Sequence, residues 1–158
     1  MIIRKTILCS EKGNLALPDD ENIEITLEME KGEAELNITS ENKKPQVVTI
    51  NVIHKNPNTI SKIILNSIVK SKLRIDAKLT MEKGSKGSRG SISMNAIKIG
   101  KRAEAEFSPK LVVLNNEIEA EHKSSIQNIP TDVIDYLMSR GIGKKDSERL
   151  FCERFLGQ

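Results

Sequence analysis

Short segments of alternating apolar and polar residues run through most of this chain and leave few folds open to it. Alternation with a period of two is typical of β-strands that bury one face. Glycine, proline, asparagine and aspartate fall between the segments, where they favour turns. In the first third of the sequence the segments recur about every ten residues and span 2–8, 15–17, 23–29, 34–38 and 46–53. The pattern predicts a mainly β fold.

Strand spacing of this kind permits either an antiparallel sandwich or the stacked coils of a parallel β-helix, and strand propensity does not separate the two. The aromatic residues favour the β-helix. They are only Phe107, Tyr136, Phe151 and Phe155, and three of them lie near the C terminus. A compact sandwich usually places its large aromatic side chains centrally. We therefore expect an upstream body packed from stacked Ile, Leu and Val, with a separate aromatic cluster in the C-terminal segment.

The apolar pattern changes its period at Thr131. Within residues 133–138 the apolar positions fall at helical spacing, with Thr131 placed to cap a helix and Gly141 placed to end it. Residues 144–155 show a second helical pattern. The sequence therefore predicts two short α-helices after the strands.

Composition narrows the classes of function. The 25 basic and 22 acidic residues give a net charge of +3, whereas a dedicated nucleic-acid binder normally has a strong basic excess and aromatic stacking residues. No apolar run approaches the length of a membrane span, and the N terminus lacks the apolar core of a signal peptide. We therefore expect a cytoplasmic protein that binds neither nucleic acid nor membrane.

Three further features are interpreted as structural. Cys9 and Cys152 are far apart in the sequence and form neither a disulfide framework nor a thiolate metal site; Cys152 is expected to be a small buried residue of a helix. His54 follows a strand with no other His, Cys or acidic cluster nearby, which predicts a solvated loop histidine. Segment 82–91 is rich in Gly, Ser and basic residues but lacks Walker spacing, and is predicted to be a flexible solvated loop.

The sequence shows no recognisable arrangement of catalytic residues. Side-chain catalysis needs a nucleophile with a base, paired carboxylates held apart, or a metal cage, and the chain has two histidines and no motif of those kinds. Glu117, Glu119 and Glu121 share one strand face, while His122 lies on the Ile118 face. We expect the three carboxylates to be solvated and the protein not to be an enzyme. A β-helix carbohydrate-active enzyme and a stand-alone structural or interaction protein are the alternatives.

An ordered set of residues in the last third of the chain resembles a known family. Glu121-His122 is followed by Ser124-Ser125, then by the run Ile134-Asp-Tyr-Leu-Met-Ser-Arg-Gly-Ile142, and finally by Arg154-Phe155. Together these residues are similar to the C-terminal core of the SufB/SufD proteins, scaffold subunits of the SUF system for iron–sulfur cluster assembly. The order and spacing of the motifs, rather than any one of them, carry the resemblance.

The resemblance implies a fold and two kinds of partner. The fold is a right-handed parallel β-helix over residues 1–129, followed by two short C-terminal α-helices over residues 130–158, within one domain unit. In the family the terminal helices dock a SufC-type ABC ATPase, and two subunits pair through their β-helices. The resemblance therefore implies the ATPase and a second SufB/SufD relative as partners, in a homodimer or a heterodimer. Such pairing is physically useful because the end of a β-helix leaves open sheet edges.

The resemblance also implies where the ATPase binds. Aromatic and arginine anchors dominate protein interfaces. The implied partner-binding residues on the helices are Tyr136, Leu137, Arg140, Gly141, Phe151 and Phe155. For the apolar members, packing of the helices onto the strands is the alternative role, whereas a guanidinium at Arg140 is not expected in a core.

His122 occupies the position of a family histidine that lies at the subunit interface. With Glu121 beside it, His122 is the implied metal contact for a transient iron–sulfur cluster at that interface, and a hydrogen-bonded structural histidine is the alternative. SufB proteins carry a cysteine where this chain has Met94, and a thioether is a poor substitute for a thiolate. The chain is also shorter than most SufB and SufD proteins. These departures favour a SufD-like, non-catalytic partner subunit over a SufB-like scaffold.

Overall fold

The computed structural model describes residues 2–8, 12–19 and 22–157, in which ten β-strands are followed by two α-helices. The strands are β1 (Ile2–Leu8), β2 (Lys12–Ala16), β3 (Asn22–Met29), β4 (Glu33–Asn42), β5 (Gln46–His54), β6 (Ile60–Val69), β7 (Lys72–Met81), β8 (Arg89–Lys98), β9 (Glu104–Val113) and β10 (Glu119–Asn128). The helices are α1 (Thr131–Ser139) and α2 (Lys144–Leu156). In this part of the chain neither helix is long and apolar enough to cross a membrane.

The strands form two five-stranded sheets, and successive strands along the chain alternate between them. One sheet has the order β1-β3-β5-β7-β9 and the other β10-β8-β6-β4-β2. All neighbouring strands that the structure describes are parallel. Because parallel neighbours cannot be joined by a hairpin, the chain winds as a coil with one strand of each sheet per coil. The predicted parallel β-helix followed by two helices is confirmed, and the sandwich alternative is wrong.

The interior of the coil is a stack of aliphatic side chains. In β3 and β4 every second residue is buried, as the alternation in the sequence predicts. The register stacks like on like: Ile25 pairs with Ile50, and Leu65 pairs with both Ile38 and Met94. Each fully buried Ile or Leu side chain contributes about 1.5–3 kcal/mol by leaving water. The core is built from Ile, Leu, Val, Ala and Met, as expected for a body without large aromatic residues.

Successive coils differ in length because their corners differ. Ile38 and its register partner Leu65 are 27 positions apart, Leu65 and Met94 are 29 apart, and Met94 and Ser124 are 30 apart. The strands β6 to β10 have a constant length of 10 residues and β5 has 9, so most of the differences lie in the turns. The sequence consequently shows alternation without an exact repeat.

His54 is the last residue of β5 and is fully buried, so the prediction of a solvated loop histidine is wrong. Its Nδ1 lies 2.7 Å from Thr59 Oγ1, and its Nε2 lies 2.7 Å from Ser61 Oγ. A buried imidazole needs a partner for each nitrogen, and the two buried hydroxyls supply them without adding charge. Burial lowers the pKa of His54 to about 4, which keeps the ring neutral.

The segment 82–91 is a packed corner of the coil rather than a solvated loop, and β8 already begins inside it. Ser88 is fully buried, and its Oγ lies 2.9 Å from Thr59 Oγ1 in the corner below. A Cβ on Gly84 would come within 2.4 Å of the carbonyl oxygen of Lys55. The glycines and serines therefore serve close packing between stacked corners, and composition alone was misleading here.

For helix α1, the sequence-based prediction is correct at the C-terminal end and wrong at the N-terminal end. Pro130 is the N-cap residue of α1 and Thr131 is already helical, so the prediction of a Thr131 cap is wrong. Gly141 adopts a left-handed φ of +85°, and its N–H donates to the carbonyl oxygen of Met138 at 2.9 Å. This is the helix end that the sequence predicts, since glycine has no Cβ to oppose that conformation.

Helix α2 lies against the outside of the even-numbered sheet, where it packs on β6, and α1 packs against α2. Ile68 and its register partner Ile97 are fully buried, although alternation turns them away from the coil interior. Ile134 of α1 is also buried. Cys152 of α2 is partly buried, and this burial raises the pKa of its thiol. The outer face of the even-numbered sheet thus provides buried aliphatic side chains as a packing surface for the helix pair.

Candidate functional site

An exposed apolar groove runs between α1 and α2. Its cavity has a volume of about 420 Å³ and is lined by Val133, Leu137, Leu150, Phe151, Arg154 and Phe155. Val133 is 37% exposed and Leu150 is 41% exposed. Apolar side chains that are exposed together beside charged ones mark interaction sites on protein surfaces.

Helical spacing explains why α1 contributes to the groove. Val133, Tyr136, Leu137 and Arg140 follow one another at i, i+3, i+4 and i+7, which places them on one face of the helix. The left-handed turn at Gly141 then reverses the chain, so that α2 packs beside α1. The groove is therefore a direct product of a periodic face followed by a glycine turn.

Tyr136 and Arg140 form a pair at the end of α1. The guanidinium carbon of Arg140 lies 5.3 Å from the centroid of the Tyr136 ring, within the range of a cation–π contact. Tyr136 is 58% exposed. The pair therefore stands in solvent rather than in a core, beside the groove on the same helix face.

The structure brings the six predicted partner-binding residues to one region. Three of them line the groove: Leu137, Phe151 and Phe155. Two form the cation–π pair, and Gly141 makes the turn. Sequence reasoning missed three lining residues: Val133, Leu150 and Arg154. The signal was present, because Val133 precedes Leu137 by four positions and Leu150 precedes Arg154 by four, which puts each pair on one helix face.

The second candidate region is the open end of the coil. Among the described strands, β9 and β10 are the last of their sheets, and each has one neighbour. Their inward-facing side chains have no further coil above them, so Leu111, Val113 and Ile126 are 37%, 45% and 40% exposed. One coil below, Leu79 and Met81 occupy the positions paired with Leu111 and Val113 and are buried. The core is thus open to solvent at this end.

β10 places the two predicted metal-binding residues on opposite faces. His122 pairs with buried Ile92 and is turned toward the coil interior, yet it is exposed because the end is open. Glu121 points outward, and its Oε1 lies 3.2 Å from Lys123 Nζ. Since adjacent strand residues face opposite ways, one chain does not direct both side chains at the same ion.

The thioether of Met94 does not reach the surface. Met94 is fully buried one coil below Ser124, its register partner in β10. Within residues 2–8, 12–19 and 22–157, no three His, Cys, Asp or Glu side chains are grouped where they could hold a metal ion.

The carboxylates near the open end are exposed, as predicted, and each has a basic partner. Glu117 lies 2.9 Å from Lys86 and Glu119 lies 3.3 Å from Arg89, while Glu121 pairs with Lys123 as described above. Exposed ion pairs are screened by water and salt.

Sequence comparison places both regions within a known domain. The sequence profile of the SufBD core domain, described as SUF system FeS cluster assembly, matches residues 20–155. The chain belongs to the SufBD core-domain family. A protein of Staphylococcus aureus strain USA300 named iron-sulfur cluster assembly SufBD family protein is 28% identical over 107 residues, which cover 66% of this chain. A protein of the same family name from Staphylococcus haemolyticus strain JCSC1435 shows the same identity and coverage.

The SufBD match confirms the resemblance and extends it. The motifs that carried the resemblance lie in the last third of the chain, whereas the profile also covers the strands from β3 onward. The aligned residues amount to 23% of the length of these two relatives. The groove and the open end both fall inside the matched SufBD segment.

Proposed function

We propose that this SufBD protein is a non-catalytic subunit of the cytoplasmic iron–sulfur cluster assembly machinery. Its helix groove binds a SufC-type ABC ATPase. Its open β-helix end pairs with a second SufB/SufD-type subunit, either another copy or a longer relative. The observation that carries the proposal is the exposed apolar groove between α1 and α2, which lies in the segment matched to the family.

The groove has the properties of a preformed protein-binding site. Covering its apolar surface gains about 25 cal/mol for each Å² removed from water. The lining residues sit on two packed helices joined by a short turn, so little conformational freedom is lost on binding. Tyr136 and Arg140 add side chains of the types that most often dominate interface energies.

Affinity for the SufC-type ATPase of the same organism tests groove docking. Val133→Asp and Leu150→Asp each place a charge in the lining, and each should weaken binding at least about ten-fold because burying an unpaired carboxylate is costly. Met138→Asp is the matched control, since Met138 is 44% exposed on the same helix but does not line the groove. Wild-type affinity in both lining variants, with unchanged melting temperature, would refute groove docking.

At the open end, β10 offers an uninterrupted backbone edge. The N–H groups of Glu119 and Ile129 donate to the β8 side at 3.0 and 3.1 Å, so odd-numbered residues of β10 bond to β8. By alternation, the even-numbered residues within 120–128 direct their N–H and C=O groups to the free side. Each of these residues has an N–H. Such an edge accepts an added strand from a partner.

The edge of β9 is less suited to pairing. The N–H groups of Glu104 and Leu114 both donate toward β7 at 2.9 Å, so the odd-numbered residues of β9 face the free side. Pro109 is one of them, and proline has no N–H. An added strand would therefore lose a hydrogen bond at the centre of β9. The free side of an edge strand is a usual place for proline in sheets. We expect the partner strand on β10.

Ser124→Pro tests pairing through β10, because it removes one N–H from the free edge and none from the ladder with β8. The complex with the second subunit, measured by light scattering after size exclusion, should dissociate in this variant. Ser124→Ala keeps the N–H and should stay paired. Ile126→Asp, at a 40% exposed inward position, tests the same surface without changing the backbone. Undiminished pairing in Ser124→Pro and Ile126→Asp would contradict the proposal.

The cluster is the cargo of this machinery, and His122 is the residue of this chain best placed to touch it. Its imidazole is exposed on the inner face of β10, beside the edge where the partner strand adds. One histidine is an incomplete ligand set, so the partner subunit supplies the remaining donors. The chain thereby contributes to cluster assembly or transfer only as part of a pair.

Anaerobic reconstitution of the paired complex with iron and sulfide tests the role of His122. The cluster absorption band should fall in His122→Ala while pairing persists. Lys123→Ala is the matched control, because Lys123 lies on the same strand and faces the other way. An unchanged band in His122→Ala, with the complex intact, would leave His122 as a packing residue of the interface.

A further inference from the structure

We infer that the surface received by the α1–α2 groove carries carboxylates, which bind the guanidinium groups of Arg140 and Arg154 beside an apolar contact. This inference rests on the proposed docking of the ATPase and adds the chemistry of the docking segment. It predicts a protruding apolar element with acidic residues next to it. The arginines of the two helices differ in whether an acidic side chain of the chain itself neutralises them.

Of the three arginines on α1, α2 and the turn between them, one is neutralised within the chain. Arg149 lies 3.1 Å from Asp146 and 3.4 Å from Glu153. Arg140 and Arg154 are exposed and form no ion pair with any residue that the structure describes. Arg154 lines the groove, and Arg140 follows Val133 and Leu137 on the groove face of α1. The two free guanidiniums thus belong to residues that line the groove or lie on its helix face, whereas Arg149 is not among the lining residues.

The contact with Tyr136 restrains the guanidinium of Arg140 before any partner binds. The ring lies 5.3 Å below the Arg140 guanidinium and leaves its N–H groups available. Arginine presents a planar fork that matches a carboxylate through two parallel hydrogen bonds. A side chain already restrained by an aromatic ring loses less freedom when it forms them. Tyr136 is therefore a positioning residue for Arg140.

A protein segment fits this combination better than an anionic lipid surface does. Leu137, Phe151 and Phe155 are only partly exposed, so the lining is reached by side chains that enter the groove. A flat bilayer would contact the rim and leave these residues uncovered. The favoured occupant is therefore a segment of the ATPase with apolar side chains that project between carboxylates.

Three matched variants separate the arginines: Arg140→Gln, Arg154→Gln and Arg149→Gln. Each of the first two should weaken ATPase binding about ten-fold, since each loses hydrogen bonds between charged groups, and should flatten the dependence of affinity on salt. Arg149→Gln should bind as the wild type does. Tyr136→Phe should retain affinity, whereas Tyr136→Leu should lose part of it and slow association.

The outcomes distinguish this inference from the proposed docking. If Val133→Asp abolishes ATPase binding and the Arg140→Gln and Arg154→Gln variants bind as the wild type does, docking stands and the carboxylate inference is overturned. If the ATPase does not bind at all, the docking proposal fails. The inference is then decided by two helical probe peptides with the same Leu and Phe face, one flanked by Glu and the other by Lys.

The acidic peptide should bind the full chain about ten-fold more tightly than the basic one by fluorescence anisotropy. That preference should disappear in the double variant Arg140→Gln/Arg154→Gln. Equal binding of the two peptides to the wild type would overturn the inference. So would arginine-dependent binding to phosphatidylserine vesicles in the absence of any preference between the peptides, which would identify a lipid surface as the acidic partner.

Discussion

Mild acid should destabilise this protein through the buried side chain of His54. The imidazole is fully buried between two hydroxyls, and burial lowers its pKa from 6.5 to about 4. Below pH 6.5 the unfolded chain binds a proton at this residue, whereas the folded chain does not bind one until the pH approaches 4. The unfolded state therefore holds more protons across this range, and the free energy of unfolding falls as the pH falls.

The size of the effect follows from the two pKa values. The full difference between 6.5 and about 4 corresponds to roughly 3 kcal/mol. At pH 5, about 2 kcal/mol of this is already lost. Small domains have total stabilities of about 5–15 kcal/mol, so one neutral histidine governs a substantial share of the stability in mild acid.

Urea unfolding at about pH 7 and about pH 5 measures the effect, with His54→Gln as the comparison because an amide stays neutral at both pH values. At the higher pH the variant should be less stable by about 1–3 kcal/mol, since its amide does not reproduce both hydrogen bonds. Between the two pH values it should lose about 2 kcal/mol less than the wild type. Glu35, whose pKa is lowered by its hydrogen bond from Lys62, changes stability only below its ordinary value of 4.5. Equal pH dependence in the two proteins would refute the reasoning.

The remaining predictions concern packing and use paired variants. Gly84→Ala should cost about 1–3 kcal/mol, because the new Cβ would lie 2.4 Å from the carbonyl oxygen of Lys55, whereas Gly13→Ala meets nothing within 4 Å and should be close to neutral. Leu65→Ala should cost about 2–5 kcal/mol, because Leu65 is 0% exposed, while Leu114→Ala, at a residue 53% exposed, should cost less than about 0.5 kcal/mol. Urea unfolding checks both pairs, and an equal effect within either pair would contradict the packing described above.

Much of the fold was accessible from the sequence because alternation is a local property. A strand with one buried face shows the same period whichever strands it pairs with, so β3, β4 and β5 were found without knowledge of their neighbours. Parallel and antiparallel pairing bury the same faces, so alternation did not distinguish them. The scarcity of aromatic residues and the resemblance decided that question, and both pointed to the β-helix.

The error at His54 has a specific cause. Its partners are Thr59 and Ser61, which lie in the following corner and at the start of the next strand. Corner geometry sets these contacts, and composition does not encode it. A usable signal existed nevertheless: Ser61, Ile63 and Leu65 share one parity, which places a hydroxyl on the inward face of β6.

At the candidate sites, periodicity was again the reliable part. The resemblance implied the groove residues Leu137, Phe151 and Phe155, and helical spacing agrees with it because such spacing selects a face before the helix is packed. Alternation likewise put Glu121 and His122 on different faces. The exposure of His122 was not predictable, since it depends on which strands lie above β10 in three dimensions.

Pro109 has a consequence for solubility. A coil that offered two complete sheet edges could add copies head to tail, and a contact that does not close on itself grows into a filament. Proteins avoid such growth by interrupting exposed edges, often with proline. With one donor missing at the centre of β9, a copy stacked squarely on the open end could not continue both sheets. Pro109 therefore disfavours the growth of stacked copies into an amyloid-like fibre.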